Sequence, residues 1–575
     1  MSRPQSNTLR LFSGMLLITI LLLISFGVLA YRLFDLQISR QPDYVEASRN
    51  QQFARVIHQP QRGMIVDCHG RILAASSRVY NLFAEPRRLD NHEQAKTTAA
   101  QVQDMLKIPG HEVTKTILEA HNPGFVRIWN NLTLDQRELF SKKHLTGIGI
   151  ENTWQRTYPA GPSTCHVLGF IGGDDEAGLS GLELQYNSVL SGKKGIETFA
   201  VDVRRRPIGA SPSQDNPVQD GQSLILTLDA TIQQFVRAAL TKKVKEYRAE
   251  SGVGIVMDPW SGAILAMVSW PDFEPDAFGK VVDPNDLRNR AVSDMFEPGS
   301  IFKPIVAAVA LDSGAINTTQ KFDCEDGYWA KFKIGEFGNH RYGMMNVCEI
   351  LCESSNVGMA KIGLEMRPQQ FYDGLKLFGF GKETGVDLPG EVTGLVYPPG
   401  KWSKYSPTRI AFGHEVLVTA VQMARAYCIL ANGGSLIHPH LVKAVVNSRG
   451  EITDFTPAVN GTGYVIKPEI AHWIVRKALT DVVNEGTGDQ AAIEGIQVFG
   501  KTGTANIALP TGGYDTKNYV ASFAGGAPAD HPRVVVLVSI RRPDRSLGKG
   551  YSGGRVAAPV MKEILEKTLT YLDSK

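Results

Sequence analysis

A run of 21 residues without a charged side chain, Leu11 to Tyr31, restricts the fold of this chain more than any other feature. A helix rises about 1.5 Å per residue, so this run spans roughly the 30 Å hydrocarbon core of a bilayer. The run is longer than the apolar core of a secretory signal peptide, and Val28-Leu29-Ala30 makes a poor cleavage site. The sequence therefore predicts one transmembrane helix at residues 11–31 and disfavours a cleaved signal peptide.

The charges beside this run predict its orientation. Arg3 and Arg10 precede it, whereas Arg32 and Asp35 follow it closely and nearly cancel. Positively charged flanks stay on the cytoplasmic side of a membrane. We therefore expect a short cytoplasmic tail at residues 1–10, a single pass through the cytoplasmic membrane, and an extracytoplasmic, periplasmic remainder.

Composition limits what the remainder can be. The chain has 575 residues, 43% of them hydrophobic, which is enough for two or three folded domains. Lys and Arg total 61 against 58 Asp and Glu, so no strong positive field draws it to nucleic acid. The six cysteines are too few for a disulfide scaffold, and we interpret them as ordinary thiols. His438 and His440 lack an accompanying ligand cluster, so the sequence predicts no metal and no nucleotide cofactor.

A polar segment rich in proline and glycine, Arg204 to Gln222, predicts a boundary between a mixed pedestal domain at 48–210 and a second domain at 220–575. Its Arg204-Arg205-Arg206 run is interpreted as a solvated surface strip. Beyond it, the turn Pro259-Trp260-Ser261-Gly262 joins two apolar segments and predicts a hairpin. Further strand and helix patterns follow, so we expect an α/β (α+β) fold with an antiparallel sheet covered by helices.

Ser300 and Lys303 form the first of three motifs that carry chemistry. They follow Pro298-Gly299 and precede an apolar run, so we expect Ser300 to be the N-cap of a helix, with Lys303 one turn later on the same face. A serine hydroxyl is a weak nucleophile until a base takes its proton, and an amine can do so once its pKa is lowered. The helix N-terminus also supplies N–H groups suited to an oxyanion.

A Ser-x-x-Lys pair alone is weak evidence, because Ser191 to Lys194 and Ser546 to Lys549 repeat it without opening an apolar helix. Two further motifs follow the first in order. Ser354-Ser355-Asn356 lies in a loop that leads into a helix, and Lys501-Thr502-Gly503-Thr504 lies on a strand. This order is the signature of penicillin-binding proteins and class A β-lactamases.

On these motifs the chain resembles the class B, monofunctional penicillin-binding proteins, especially the septal cell-division transpeptidase. The resemblance runs from about residue 10 to the end and includes eight further segments, which are Arg62 to Asp67, Gly70 to Ala74, Arg156 to Gly161, His166 to Gly172, Gly178 to Glu183, Asn289 to Ala291, Glu485 to Gly488 and Gly553 to Pro559. Two positions depart from related patterns. Ser355 stands where β-lactamases commonly carry Asp, and Gly413-His414-Glu415 replaces an aromatic-containing Gly-x-Gly.

The resemblance implies a penicillin-binding-protein transpeptidase domain on a non-catalytic pedestal. It also implies D,D-transpeptidase activity on stem peptides ending in D-Ala-D-Ala, without a cofactor, and covalent inhibition by β-lactams. In these roles Lys303 would deprotonate Ser300, Ser354 would relay the proton, and Asn356 would orient the substrate amide. Lys501 is the remaining catalytic residue, and the substrate contacts would be Ser355, Thr502, Gly503 and Thr504.

The resemblance also implies partners, namely a lipid-II-polymerising glycosyltransferase of the SEDS family and other divisome membrane proteins. Three alternatives remain open from the sequence. The chain could serve elongation instead of division, it could pass the acyl group to water as a D,D-carboxypeptidase or β-lactamase does, or it could be a β-lactam sensor. The pedestal and the anchor disfavour the hydrolases, and the sequence shows no cytoplasmic signalling region.

Overall fold

The structure is a computed structural model that describes residues 5–89, 91–173, 175–202, 208, 213–455, 463–509 and 513–575. The predicted Arg204-Arg205-Arg206 strip lies outside the described residues. The chain divides into two compact units. One comprises Met1–Pro60 with Lys193–Gln219, and the other comprises Gln61–Gly192 with Asp220–Lys575.

The first unit contains the predicted apolar helix. An α-helix covers Gln5–Phe34 and continues through a π-helical turn at Asp35–Ser39. It is long and apolar enough to cross a membrane, and its apolar stretch is not buried within the protein. A helix at Gln41–Gln52 follows. The unit also holds a three-stranded antiparallel sheet of Phe53–His58, Gly195–Ala200 and Ser213–Asn216, with Gly195–Ala200 in the centre.

The second unit contains a seven-stranded sheet that crosses the predicted domain boundary. Ser223–Leu226 pairs in parallel with Ile65–Val66 and antiparallel with Val442–Val446. Segments from both predicted domains thus share one sheet, whose other strands are Ile72–Ala84, Val126–Trp129, Ile148–Thr157 and Ile452–Asp454. Amphipathic helices pack against the N-terminal strands of this sheet and form a small core with them. These helices are His92–Leu106, Gly110–Leu118 and Leu134–Lys143.

A five-stranded antiparallel sheet carries the last motif on its edge strand. In spatial order its strands are Ile264–Trp270, Ser251–Met257, Val534–Arg541, Tyr514–Ala527 and Phe499–Ala508. The hairpin predicted around residues 259–262 is confirmed by the pairing of the first two strands.

Helices cover both faces of this five-stranded sheet. Ala230–Glu246 and Ala558–Asp573 pack on one face, and the fully buried helix Ala420–Ala431 packs on the other. Because side chains alternate across a strand, Val256 faces the first pair of helices, whereas Ile255 joins the core around the third. The predicted antiparallel sheet covered by helices is confirmed.

A helical region beside this sheet holds the first two motifs. The helix Lys303–Asp312, here called the nucleophile helix, is buried on all sides. An all-round apolar helix belongs inside a large core, where neighbouring helices replace water on every face. The other main helices of this region are Val347–Cys352, Asn356–Glu365, Pro368–Leu377, Ser406–Ile410, Pro468–Trp473 and Thr480–Asn484.

Candidate active site

Ser300 lies in a tight 3-10 turn, Gly299–Phe302, immediately before the nucleophile helix. We call this turn the nucleophile turn, after the role predicted for Ser300. The predicted N-cap role of Ser300 is therefore wrong, since Pro298 precedes the turn and no side chain caps it. Gly299 enters the turn with φ +57°, a left-handed conformation that glycine adopts without a steric cost. The turn leaves the Ser300 hydroxyl uncommitted to capping and places it on the wall of a cleft.

Lys303 is completely buried one turn after Ser300. Its Nζ donates to the Ser354 carbonyl at 2.6 Å and to Asn356 Oδ1 at 2.8 Å, and it lies 3.3 Å from Ser354 Oγ. Burial lowers the pKa of Lys303 to about 7, against the opposing effect of the Glu336 carboxylate. The amine therefore exists in large part as a neutral base near pH 7. Within the described residues the Lys303 amine makes no hydrogen bond to Ser300 Oγ. Catalytic hydrogen bonds are often long in the absence of substrate and shorten when it binds.

The second motif is held in a strained turn. Ser354 has φ +59°, which is uncommon for a residue with a side chain and often marks a functional site. This conformation turns both its carbonyl and its hydroxyl towards Lys303. Asn356 then begins the helix Asn356–Glu365, with its amide oxygen on the same amine. The structure thus brings together two motifs that are about fifty residues apart in sequence.

Ser355, a predicted substrate contact, is not among the residues that line the cleft. It is fully buried, and its Oγ caps the helix Asn356–Glu365 by accepting from Gly358 N at 2.9 Å. The same hydroxyl donates to Glu336 Oε1 at 2.6 Å. A buried hydroxyl must satisfy its hydrogen bonds internally, and Ser355 does so at the helix start and on Glu336.

Glu336 is a site residue that the motifs did not reveal. Its carboxylate is largely buried and accepts from Asn356 N at 2.5 Å, from Val357 N at 3.2 Å and from the Ser355 hydroxyl. An acidic group at a helix N-terminus satisfies free N–H groups and favours the helix dipole. Glu336 thereby fixes the second motif and places a negative charge near Lys303. It comes from an irregular segment with no recognisable signal.

The third motif lies on the edge strand Phe499–Ala508. Lys501 is fully buried, with its Nζ 3.4 Å from both Thr487 Oγ1 and Thr502 Oγ1. Burial and the nearby Lys303 hold the pKa of Lys501 well below its usual value. The hydroxyls of Thr487 and Thr502 lie 2.8 Å apart. Lys501 therefore sits beneath a pair of threonines that do reach the cleft.

Gly503 and Thr504 complete this strand in different ways. A Cβ at Gly503 would lie 3.0 Å from Ile301 Cγ2, so this glycine lets the strand approach the nucleophile turn. Gly503 is buried and is not among the residues that line the cleft, so the substrate contact predicted for it stays a prediction. Thr504 does line the cleft, and its Oγ1 accepts from Gly553 N at 3.1 Å.

The three motifs surround one cleft of about 610 Å³. Of the residues predicted for the site, Ser300, Ser354, Asn356, Thr502 and Thr504 line it. The two lysines lie just behind the wall, fully buried. Its charged and aromatic lining also includes residues that the sequence did not single out, which are Glu336, Phe337, His340, Tyr342, Glu353, Phe412 and Asp489. Thr487 also lines the cleft. It could have been predicted as a site residue, because it lies in the segment Glu485 to Gly488, which carries the family resemblance.

One group elsewhere has the residue types of a metal site, namely Cys68, His69 and Asp229, whose donor atoms lie within 4.8 Å of one another. The Asp229 carboxylate already accepts from Arg71 at 2.6 Å and from Lys575 at 3.1 Å. Two cations therefore neutralise the only carboxylate of the group, which favours a structural contact over an ion site.

Comparisons with known proteins agree with this geometry. The family described as Penicillin binding protein transpeptidase domain matches residues 252–566, and the Penicillin-binding Protein dimerisation domain matches residues 57–226. Stage V sporulation protein D of Bacillus subtilis is 31% identical over 568 residues, which cover 97% of this chain and 86% of that protein. Peptidoglycan D,D-transpeptidase FtsI of Escherichia coli is 31% identical over 509 residues, which cover 88% of this chain and 82% of that protein.

A solved structure shows the same architecture. Penicillin binding protein 3 from Mycobacterium tuberculosis, complexed with aztreonam, superposes with a TM-score of 0.68 at 26% sequence identity. The superposition covers 90% of this chain and 97% of that one. With a matching transpeptidase domain, a matching dimerisation domain and relatives aligned over nearly the whole length, the chain belongs to the class B penicillin-binding protein family.

Proposed function

We propose that this protein is a serine-type peptidoglycan D,D-transpeptidase with Ser300 as its nucleophile. The observation that carries the proposal is the buried Lys303 amine, whose pKa of about 7 leaves it able to accept a proton. The amine lies behind the cleft wall that Ser300 occupies, and the Ser354 turn holds it in place. The names of relatives such as Peptidoglycan D,D-transpeptidase FtsI support the same activity.

The first half-reaction acylates the enzyme. Lys303 takes the hydroxyl proton of Ser300, and Ser300 Oγ attacks the carbonyl carbon of the penultimate D-Ala of a stem peptide. In this proposal the backbone N–H groups of Ser300 and Thr504 stabilise the oxyanion. The amide bond to the terminal D-Ala then breaks, and Ser354 relays the proton from Lys303 to the departing amine.

The second half-reaction transfers the acyl group. An amine of a neighbouring stem peptide attacks the resulting ester, forms the cross-link and releases Ser300.

Recognition of the terminal carboxylate falls to the third motif. Thr502 and Thr504 present hydroxyl donors to the cleft, as a carboxylate requires. Lys501 lies 3.4 Å from the Thr502 and Thr487 hydroxyls and is itself fully buried. We infer that Lys501 acts on the substrate through these hydroxyls, by fixing their orientation.

Covalent labelling with a fluorescent penicillin tests the nucleophile. A β-lactam imitates the acyl donor, so the wild-type protein is expected to carry one stable label and Ser300→Ala none. Ser546→Ala is the matched control, because Ser546 begins another Ser-x-x-Lys sequence on an exposed turn. Undiminished labelling of Ser300→Ala would exclude this nucleophile.

We further propose that the protein acts in septal synthesis, anchored by the helix Gln5–Phe34 with its N-terminus in the cytoplasm. A SEDS-family glycosyltransferase and other divisome proteins are its expected partners. A fluorescent protein that matures only in the cytoplasm, fused to the N-terminus, is expected to give a bright band at the division site. Uniform sidewall signal would favour the elongation alternative, and absent fluorescence of an expressed fusion would contradict the orientation.

A further inference from the structure

The segment Gly413-His414-Glu415, which departs from the pattern expected of the family, packs directly against the nucleophile turn. Gly299 N donates to the Gly413 carbonyl at 3.1 Å. His414 follows and lines the same cleft as Ser300. A titratable ring therefore lies beside the nucleophile at a position that the transpeptidase mechanism above does not use.

The His414 ring is anchored by one of its two nitrogens. Nδ1 lies 2.8 Å from Glu297 Oε2 and 3.0 Å from the Tyr514 hydroxyl oxygen. The Tyr514 hydroxyl donates in turn to Glu297 Oε1 at 3.1 Å. Nε2 has no hydrogen-bond partner in the described part of the chain, and 19% of the side chain is exposed. The ring thus offers a free nitrogen on the side away from the carboxylate.

The surroundings of this ring combine a buried carboxylate with a phenol. Glu297 is largely buried, and its Oε2 lies 2.8 Å from His414 Nδ1 with no other polar partner in the described residues. Burial and the Glu297 carboxylate raise the pKa of Tyr514, so the phenol stays neutral and donates. The charged side chains of Arg409 and Glu415 also lie near Tyr514 and have opposite signs. A carboxylate behind an imidazole stabilises the imidazolium formed when the outer nitrogen takes a proton.

We propose that His414, held by Glu297 and Tyr514, accepts the proton that the ammonium group of the incoming stem peptide must lose before it attacks. This inference rests on the proposed function and concerns only its second half-reaction. The ammonium N–H bond breaks, and its proton bonds to His414 Nε2. The neutral amine then forms a C–N bond to the acyl carbon as the bond to Ser300 Oγ breaks. The proton displaced from nitrogen in that step returns to Ser300, and the imidazolium releases its proton to solvent.

Partitioning of one acyl-enzyme between two acceptors tests this inference. The full-length protein in detergent is acylated by a thioester donor ending in D-Ala, in the presence of Nα-acetyl-lysine as the amine acceptor. The ratio of aminolysis to hydrolysis is measured from pH 6 to about pH 10, near the amine's ordinary pKa. For His414→Gln we expect this ratio to fall roughly tenfold at neutral pH, and the deficit to shrink as pH rises and free amine accumulates.

Matched variants separate this role from a purely structural one. Glu297→Gln should give an intermediate deficit with the same pH trend, and it replaces His414→Gln if that variant does not fold. His472→Gln, at an exposed histidine outside the cleft, should keep the wild-type ratio. A ratio unchanged in His414→Gln, or lowered equally at every pH, would overturn the proposal. Absence of acylation in the wild-type protein would instead overturn the proposed function.

Discussion

Lys303 shows how a single residue acquires its chemistry from burial. A lysine in water is almost fully protonated at neutral pH, whereas removal from solvent disfavours the charged form. Full burial accounts for most of the change in Lys303, and the Glu336 carboxylate limits it. The base is therefore tuned by two opposing effects, one from the core and one from a residue outside all three motifs.

The pH dependence of acylation tests this balance. In the wild-type protein the rate of labelling by penicillin should rise with pH through a midpoint near 7, because only neutral Lys303 accepts the proton. Glu336→Gln removes the effect that raises the pKa of Lys303, so its midpoint should move to lower pH. Stopped-flow acylation measured across pH reports this shift even if the maximal rate falls.

Glu365→Gln is the matched control for that experiment. Glu365 ends the same helix that Glu336 caps, but it is exposed. Removing its charge should leave the midpoint in place, because solvent screens exposed charges. A midpoint of Glu336→Gln that stays at the wild-type value, or moves to higher pH, would contradict the assigned electrostatic role.

At the scale of elements, the nucleophile turn depends on a close backbone approach from the segment before the helix Ala420–Ala431. Gly413 has φ +84°, and a Cβ there would lie 2.2 Å from the Gly299 carbonyl oxygen. The hydroxyl of Tyr427 on that helix also donates to the Ile301 carbonyl at 2.9 Å. The position of Ser300 is thus set by elements more than one hundred residues later in the chain.

Gly413→Ala should displace the nucleophile turn. Both the positive φ and the clash with backbone oppose a methyl group, at a cost of more than about 2 kcal/mol. We expect a lower melting temperature together with a strongly reduced acylation rate. Gly400→Ala is the control, since nothing lies within 4 Å of a Cβ at that exposed glycine. An acylation rate of Gly413→Ala equal to that of the wild-type protein would show that the nucleophile turn tolerates the added methyl group.

At the scale of the whole molecule, the unit that contains the cleft also contains a buried network of charged side chains. These side chains are far in sequence from the residues that line the cleft. Glu183 is fully buried and pairs with Arg62 at 2.6 Å and with Arg156 at 2.8 Å. Arg156 also donates to the Gly63 carbonyl. The network ties together segments separated by up to 121 residues, which no local interaction could align.

Removing the central carboxylate should destabilise this unit. Glu183→Gln leaves two buried guanidinium groups without their charge partner, and we expect a loss of about 3–5 kcal/mol in the free energy of unfolding. Glu138→Gln, which breaks the exposed pair with Lys142, should change it by less than about 0.5 kcal/mol. Thermal and denaturant unfolding of both variants measure the difference. Equal effects would mean that burial adds nothing to this network.

Much of the fold follows from patterns that act over a few residues. Hydrophobic periodicity and turn chemistry predicted the apolar helix within Gln5–Phe34 and the hairpin of Ser251–Met257 and Ile264–Trp270. The order of three short motifs likewise predicts the chemistry that we propose for Ser300 and Lys303. These features depend on neighbours in sequence, so the sequence by itself determined them.

Tertiary structure decided how the motifs meet. The hydrogen bond between Lys303 and the Ser354 carbonyl spans 51 residues, and Glu336 joins the site from the start of a short 3-10 turn at Phe337–Asn339. Neither the burial of Lys501 nor the capping role of Ser355 follows from motif spacing. Both depend on which segments, distant in sequence, pack around these residues and exclude water. The sharing of one sheet by strands from both predicted domains has the same origin. Solvent exclusion and long-range pairing exist only in the folded chain, and they set the pKa values and orientations on which the chemistry depends.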